Sequence, residues 1–167
     1  MNPILIVAIV FGAGFLMMIP FYIAQTKRKN KEKDFLANNK DKAILRLYSD
    51  SSKIDGVDVK KLNYIKGEML EGIVALEAGT HSFEGRFSTT SVDMGRNVNY
   101  KTEKLKFDIA LEAGHNYTLA VYFYSPEERK SYYKGDVGED VFTLELGVTG
   151  GNIGSYTKAY IICYKED

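Results

Sequence analysis

The chain has 167 residues, and its 22 Lys and Arg balance its 22 Asp and Glu, so the net charge is zero. The balance is uneven along its length: residues 1–42 carry seven bases against three acids, which leaves 43–167 with a net charge of −4. A mildly acidic globular part lacks the basic face that neutralises phosphates, so nucleic acid is excluded as an expected partner.

The run 4–24, ILIVAIVFGAGFLMMIPFYIA, is free of charge. As a helix it rises about 30 Å, the thickness of a bilayer's hydrocarbon core. A cleaved signal peptide is the competing reading, and it calls for a basic leader and a small-x-small cleavage site. Met1-Asn2-Pro3 holds no base, Phe21-Tyr22-Ile23-Ala24-Gln25 is a poor cleavage sequence, and no lipobox cysteine is present. An uncleaved, single-pass anchor over residues 1–24 is expected. Lys27, Arg28, Lys29, Lys31 and Lys33 follow the span and no base precedes it, so the positive-inside rule places the N-terminus outside and the following domain in the cytoplasm. Phe21 and Tyr22 suit the interfacial aromatic belt, and Pro20 lies where a kink is tolerable. Ala8 and Gly12 form a small-xxx-small pair that permits close helix approach, though ordinary membrane-helix composition explains them as well. Membrane lipid is the expected contact of 4–24, and anionic headgroups suit the run Lys27–Lys33, which is also explained as a topology signal alone. Residues 25–42, poor in apolar side chains, read as a basic juxtamembrane linker, helical where it leaves the membrane and broken near Asn38-Asn39.

From Ala43 the periodicity changes to two. AILRLYS (43–49) reads as a strand, and Asp55-Gly56 as a hairpin turn. GIVAL (72–76) reads as a buried strand. HSFEGRFSTT (81–90) puts His81, Phe83, Gly85 and Phe87 on one face; KLKFDIALEA (104–113) does the same with Leu105, Phe107, Ile109 and Leu111. NYTLAVYFY (116–124) sets Tyr117, Leu119, Val121 and Phe123 against Tyr122 and Tyr124. DVFTLELGV (140–148) alternates likewise, and SYTKAYIICYK (155–165) is the last strand. Residues 126–134 fit a short helix or a long hairpin tip. Short Val-, Ile-, Phe-, Tyr- and Thr-rich segments separated by turn signals predict an all-β sandwich of about seven to nine antiparallel strands over 43–167.

Ala-Leu-Glu-Ala-Gly occurs twice, at 75–79 and 110–114. Each copy lies between strand-like runs, and its glycine supplies a turn without steric cost, so Gly79 and Gly114, with Gly56, read as structural turn glycines. KIDGVDV (53–59), VALEAGTHSF (74–83) and IALEAGHNYTLAVYF (109–123), in that order, resemble small uncharacterised bacterial membrane-anchored or lipoprotein-type domains of the PEGA kind, with their Asp-Gly hairpin and Gly-x-His turn. The resemblance spans roughly 43–124 and implies a compact β-sandwich with no catalysis. This chain departs from the lipoprotein members in having no lipidated cysteine.

No chemistry-bearing constellation stands out. His81 and His115 follow their glycines at different offsets and have no Asp, Glu, Cys or further His at ligand spacing, so structural roles are expected. Asp136, Glu139 and Asp140 lack the alternating oxygens of a calcium loop and read as a solvated hairpin tip. GVTGGNIGS (147–155) lacks the Gly-Lys-Ser/Thr of a phosphate loop, and no Gly-x-Ser-x-Gly elbow is present. Cys163, the one cysteine, sits in an apolar strand with no base to activate it. No cofactor, metal or catalytic residue is expected. Exposed tyrosine suits protein or glycan contact, although tyrosine also favours strands for its own sake. Tyr122, Tyr124, Tyr132 and Tyr133 are the candidate interaction surface. The expected function is a non-enzymatic membrane-tethered module that binds another protein at the membrane surface; the alternative is an extracytoplasmic envelope or glycan-binding module of the same fold.

Overall fold

A computed structural model describes residues 3–49, 51–93, 96–124, 127–128, 139–146 and 158–166, with the backbone alone at 3–18, 89–100 and 139. Among the described residues, helix α1 (Pro3–Asn38) precedes twelve strands. They are β1 (Ala43–Leu47), β2 (Ser51–Ile54), β3 (Val57–Asp58), β4 (Tyr64–Lys66), β5 (Gly72–Leu76), β6 (Gly79–Arg86), β7 (Ser88–Asp93), β8 (Arg96–Lys101), β9 (Leu105–Leu111), β10 (Asn116–Tyr124), β11 (Glu139–Leu146) and β12 (Lys158–Lys165). A six-stranded sheet runs β11-β12-β10-β1-β5-β4, a four-stranded sheet β3-β2-β6-β9, and β7-β8 form a separate hairpin.

The two larger sheets bury one core between them, an arrangement that fits a β-sandwich. From the first sheet come Leu45, Val74, Leu76, Tyr117, Leu119, Ile161 and Cys163; from the second, Ile54, Phe83, Ile109 and Leu111. The predicted alternation accounts for this: in β9 the side chains of Ile109 and Leu111 are buried while Lys106, Asp108 and Ala110 are exposed. Phe83 and Phe107 stack at 5.1 Å, and Phe107 stacks on Phe142 at 4.3 Å.

Several expectations need correction. The strands number twelve among the described residues, because short pairings such as β3 and β4 carry too few residues for a periodic signal. The pairing is not wholly antiparallel: β1 and β10 run parallel, with Leu45 opposite Tyr117. The chain between them passes through the second sheet, and that long crossover frees the two strands to align in the same direction. The segment 81–90 is not one strand. It breaks at Phe87, whose side chain is fully buried and whose N–H donates to Thr102 Oγ1 instead of a ladder. Asp140 lies on β11, where it accepts a bond from Thr143 Oγ1, and not on a hairpin tip. Tyr132, Tyr133, Asp136, most of 126–134 and all of 147–155 fall outside the described residues.

Residues 25–38 continue α1, and the helix ends at Asn38. Asn39 closes it: its side-chain N–H donates to the Phe35 carbonyl, and its Oδ1 accepts from Asn63 Nδ2. Phe35 is 8% exposed and packs with Leu36 on Ile44, Ile65, Ile73 and Ala75, the outer face of β1, β4 and β5. Among the described side chains, which begin at Ile19, no helix is long and apolar enough to cross a membrane. Most of the apolar run 4–24 lies among the side chains outside that set.

Candidate functional site

Both Ala-Leu-Glu-Ala-Gly copies sit where the chain passes from one layer to the other: β5 to β6 at the first, β9 to β10 at the second. Gly79 has φ +144° and Gly114 φ +79°, a backbone that a side chain disfavours. The corners meet at the entrance to β1. Lys42 Nζ pairs with Glu77 at 2.7 Å, while the Lys42 carbonyl accepts the Gly114 N–H at 3.0 Å. At the second corner the buried Tyr117 hydroxyl accepts the Glu112 N–H at 2.9 Å, bracing the turn from within.

The histidine after the first corner is occupied on both nitrogens. His81 Nδ1 lies 2.7 Å from Asp55 Oδ2, and Nε2 lies 2.9 Å from the Glu77 carbonyl. Both partners accept, so the doubly protonated imidazolium satisfies the pair. Burial disfavours that charge, but the bonds to Asp55 and Glu77 outweigh it and raise the His81 pKa. The bond from His81 holds the Asp55 carboxyl below its ordinary range. Asp55 and Gly56 both have positive φ, +52° and +78°, as a two-residue hairpin requires. Asp55 also accepts the Ser82 N–H, so the hairpin is fastened to β6. His115 lies 3.8 Å from Glu112. Neither histidine joins a ligand set, and among the described residues no group of His, Cys, Asp and Glu is placed to hold a metal ion. Cys163 is fully buried, and burial pushes its thiol up to about 12.

A charged cluster joins α1 to the outer face of the first sheet. Arg46 on β1 donates to Glu32 of α1 at 2.7 Å and to Glu71 at 3.3 Å, with Glu166 at 3.9 Å. Burial works against its charge, yet Glu32, Glu166 and Glu71 together raise its pKa. Glu32 also accepts the Glu68 N–H, which pins the loop 67–71 to the helix. Gly67 lets the loop close on itself: a Cβ there would lie 2.5 Å from the Glu71 carboxyl. Met69 and Leu70 project from this loop at 78% and 52% exposure, and Leu70 has φ +72°, a strained backbone for a leucine.

Beside this cluster lies the tyrosine face. Tyr122 and Tyr124 point outward from β10, with ring centroids 5.8 Å apart and nearly parallel planes. Tyr164 reaches Tyr122 at 6.0 Å, and Tyr160 reaches Tyr124 at 6.4 Å. These rings pack with the buried Ile162 on the outer face of β10 and β12, where Tyr160 is itself buried. A groove of about 500 Å³ separates them from the helix end, and its walls include Glu32, Arg46, Glu71, Tyr122, Tyr164 and Glu166.

Of the predicted surface, then, Tyr122 and Tyr124 come together, and Tyr160 and Tyr164 join them. Glu32, Arg46, Glu71 and Glu166 carried no sequence signal, being spread over four distant elements; an uncompensated arginine in the apolar strand AILRL was the one available cue. No protein-family model, curated protein or solved structure matches the chain.

Proposed function

We propose that this chain is a non-enzymatic module that binds another protein at a membrane surface, tethered by residues 4–24. The observation that carries the reading is the tyrosine cluster on the outer face of β10 and β12, with Met69 and Leu70 exposed on the loop 67–71. Aromatic and methionine side chains are the types enriched at protein interfaces. The absence of charge over 4–24 and the five bases that follow support an anchor with the domain on the cytoplasmic side. His81 has both ring nitrogens engaged and the Cys163 thiol is buried, which supports a role without catalysis. Kinship with PEGA-type domains belongs with this reading, carried by the Asp-Gly hairpin and the turn motifs.

The test is a photo-crosslinking residue in place of Tyr124, activated in intact cells. A discrete adduct is expected, weakened by Tyr122→Ser. The same label at the exposed Lys106, on the opposite layer, serves as background; equal capture at the two positions refutes the reading. A reporter fused to the C-terminus separates a cytoplasmic domain from an exported one.

A further inference from the structure

We infer that His81 is a proton-operated clasp: its imidazolium ties the Asp55-Gly56 hairpin to the first Ala-Leu-Glu-Ala-Gly corner, and loss of one proton opens the corner while the hairpin stays fastened. Nδ1 lies 2.7 Å from Asp55 Oδ2 and Nε2 lies 2.9 Å from the Glu77 carbonyl oxygen, and both partners accept. A neutral imidazole has one N–H to offer two acceptors. The ionised carboxylate is the stronger acceptor, so the remaining proton stays on Nδ1. The Nε2 lone pair then faces the Glu77 carbonyl oxygen at 2.9 Å with no hydrogen between them, and the two atoms must part.

The corner has room to move and the hairpin does not. Residues 77–80 are exposed, and at Gly79, with φ +144°, a Cβ would meet nothing within 4 Å. Without the ring's bond, Glu77 is held by Lys42 at 2.7 Å, an exposed pair of the weak kind, and Gly79 by its place opposite Leu111. Asp55 keeps the bond from Nδ1 and accepts the Ser82 N–H at 2.9 Å, while its own N–H donates to the Ser82 carbonyl at 2.8 Å. Charges around the ring are few. The hairpin supplies Asp55, and the corner supplies Glu77, whose carboxylate turns to Lys42. The second sheet places Ile109 of β9 opposite His81, with Asp108 next to it on the other face. Among the described residues only Asp55 forms an ion pair with the ring. The Asp55 carboxyl is held low and the His81 pKa is raised above 6.5, so Asp55 stays ionised while His81 titrates. Lys42 is held by both corners and follows α1 directly, so the state of the clasp reaches the junction of helix and sheet.

The test follows the isotope-labelled full chain in detergent micelles by NMR, from about pH 5.5 to 9. The ring nitrogens are expected to show the proton leaving Nε2 and the Nδ1–H form remaining, with the Glu77 carbonyl carbon shifting at the same midpoint. Amide exchange at Ala78 and Gly79, corrected for base catalysis, should rise about fivefold across that midpoint, while Ser82 and the buried Val74 keep their protection. Asp55→Asn keeps the turn, since asparagine tolerates positive φ, and removes the charge, so it should lower the midpoint by about half a unit or more. His81→Gln should abolish the step, and His115→Gln should leave it in place. A neutral ring protonated on Nε2, a midpoint unmoved by Asp55→Asn, or a step that survives His81→Gln overturns the inference. Corner exchange that stays flat through the titration, or that rises together with Val74 as in global opening, overturns it equally.

Discussion

Replacing Arg46 with methionine tests the charged cluster that binds α1 to the β domain. Methionine keeps much of the aliphatic length and removes the guanidinium. Two carboxylates then lose their counter-ion: Glu32 at 2.7 Å and Glu71 at 3.3 Å, with side chains 14% and 4% exposed. At an effective dielectric of about 20, each unit pair near 4 Å is worth roughly 4 kcal/mol before desolvation. Relief from burying Arg46 offsets much of that sum. Removing one member of a buried pair costs about 3–5 kcal/mol, and the groove's access to solvent places this cluster near 3. Urea unfolding of the full chain in detergent measures the loss. A cycle with Glu71→Gln isolates the Arg46–Glu71 coupling, expected at about 1–2 kcal/mol for residues in direct contact. A loss under about 0.5 kcal/mol for Arg46→Met, with no coupling to Glu71, refutes the assignment of the cluster as the helix-to-domain tie.

Three further outcomes follow from the corners and the core. His81→Gln should cost about 1 kcal/mol in mildly acidic solution, as expected of a partly exposed pair. The His81 pKa is raised, so its contribution is full below the unfolded value of 6.5 and is lost as pH rises through the folded value; Asp55, depressed below 3.8, loses its share only as pH falls through its own folded value. The difference between wild type and variant should therefore be largest between pH 4 and 6.5 and shrink above, and a gap that widens toward pH 9 contradicts the pairing. Cys163, with its thiol pushed up to about 12, should resist a disulfide-exchange reagent at pH 8 and react promptly in urea; rapid native labelling disproves its burial. Gly85→Ala should cost roughly 2 kcal/mol by overpacking, since a Cβ there lies 2.9 Å from both the Phe83 ring and the Ser51 carbonyl; a melting temperature unchanged from wild type contradicts that close approach.

What local chemistry writes into the sequence was legible. Alternation in β9 assigned the inward face correctly, because a residue's side of the sheet depends only on its parity along the strand. The Asp55-Gly56 turn was equally plain, since positive φ at both positions narrows the choice of residues. What depends on distant pieces meeting was not legible. Asp55 and His81 are 26 positions apart, and Arg46 and Glu71 are 25 apart. The parallel β1–β10 pair leaves no local mark, because parallel and antiparallel neighbours demand the same alternation. Phe35 and Leu36 were hidden for another reason. Two apolar residues in a charged segment look like noise until the face they cover, Ile44, Ile73 and Ala75, is known.

Those two residues change what the helix does. A solvated linker would let the β domain tumble relative to α1 and present its tyrosines in every direction. Here α1 is joined to the domain at three successive levels: Glu32 to Arg46 and the Glu68 N–H, Phe35 and Leu36 to the outer sheet, and Asn39 to Asn63. Just beyond the helix, Lys42 is held by both Ala-Leu-Glu-Ala-Gly corners, through Glu77 and the Gly114 N–H. Ties spaced over nearly two helical turns resist bending as well as rotation, which a single contact cannot do. The repeated corner thus acts in two ways. It turns the chain between layers, and it fixes the strand that carries Arg46 at the point where the helix hands over to the sheet. The direction of α1 is thereby transmitted to the tyrosine face, so any partner met there is met at one angle to the helix.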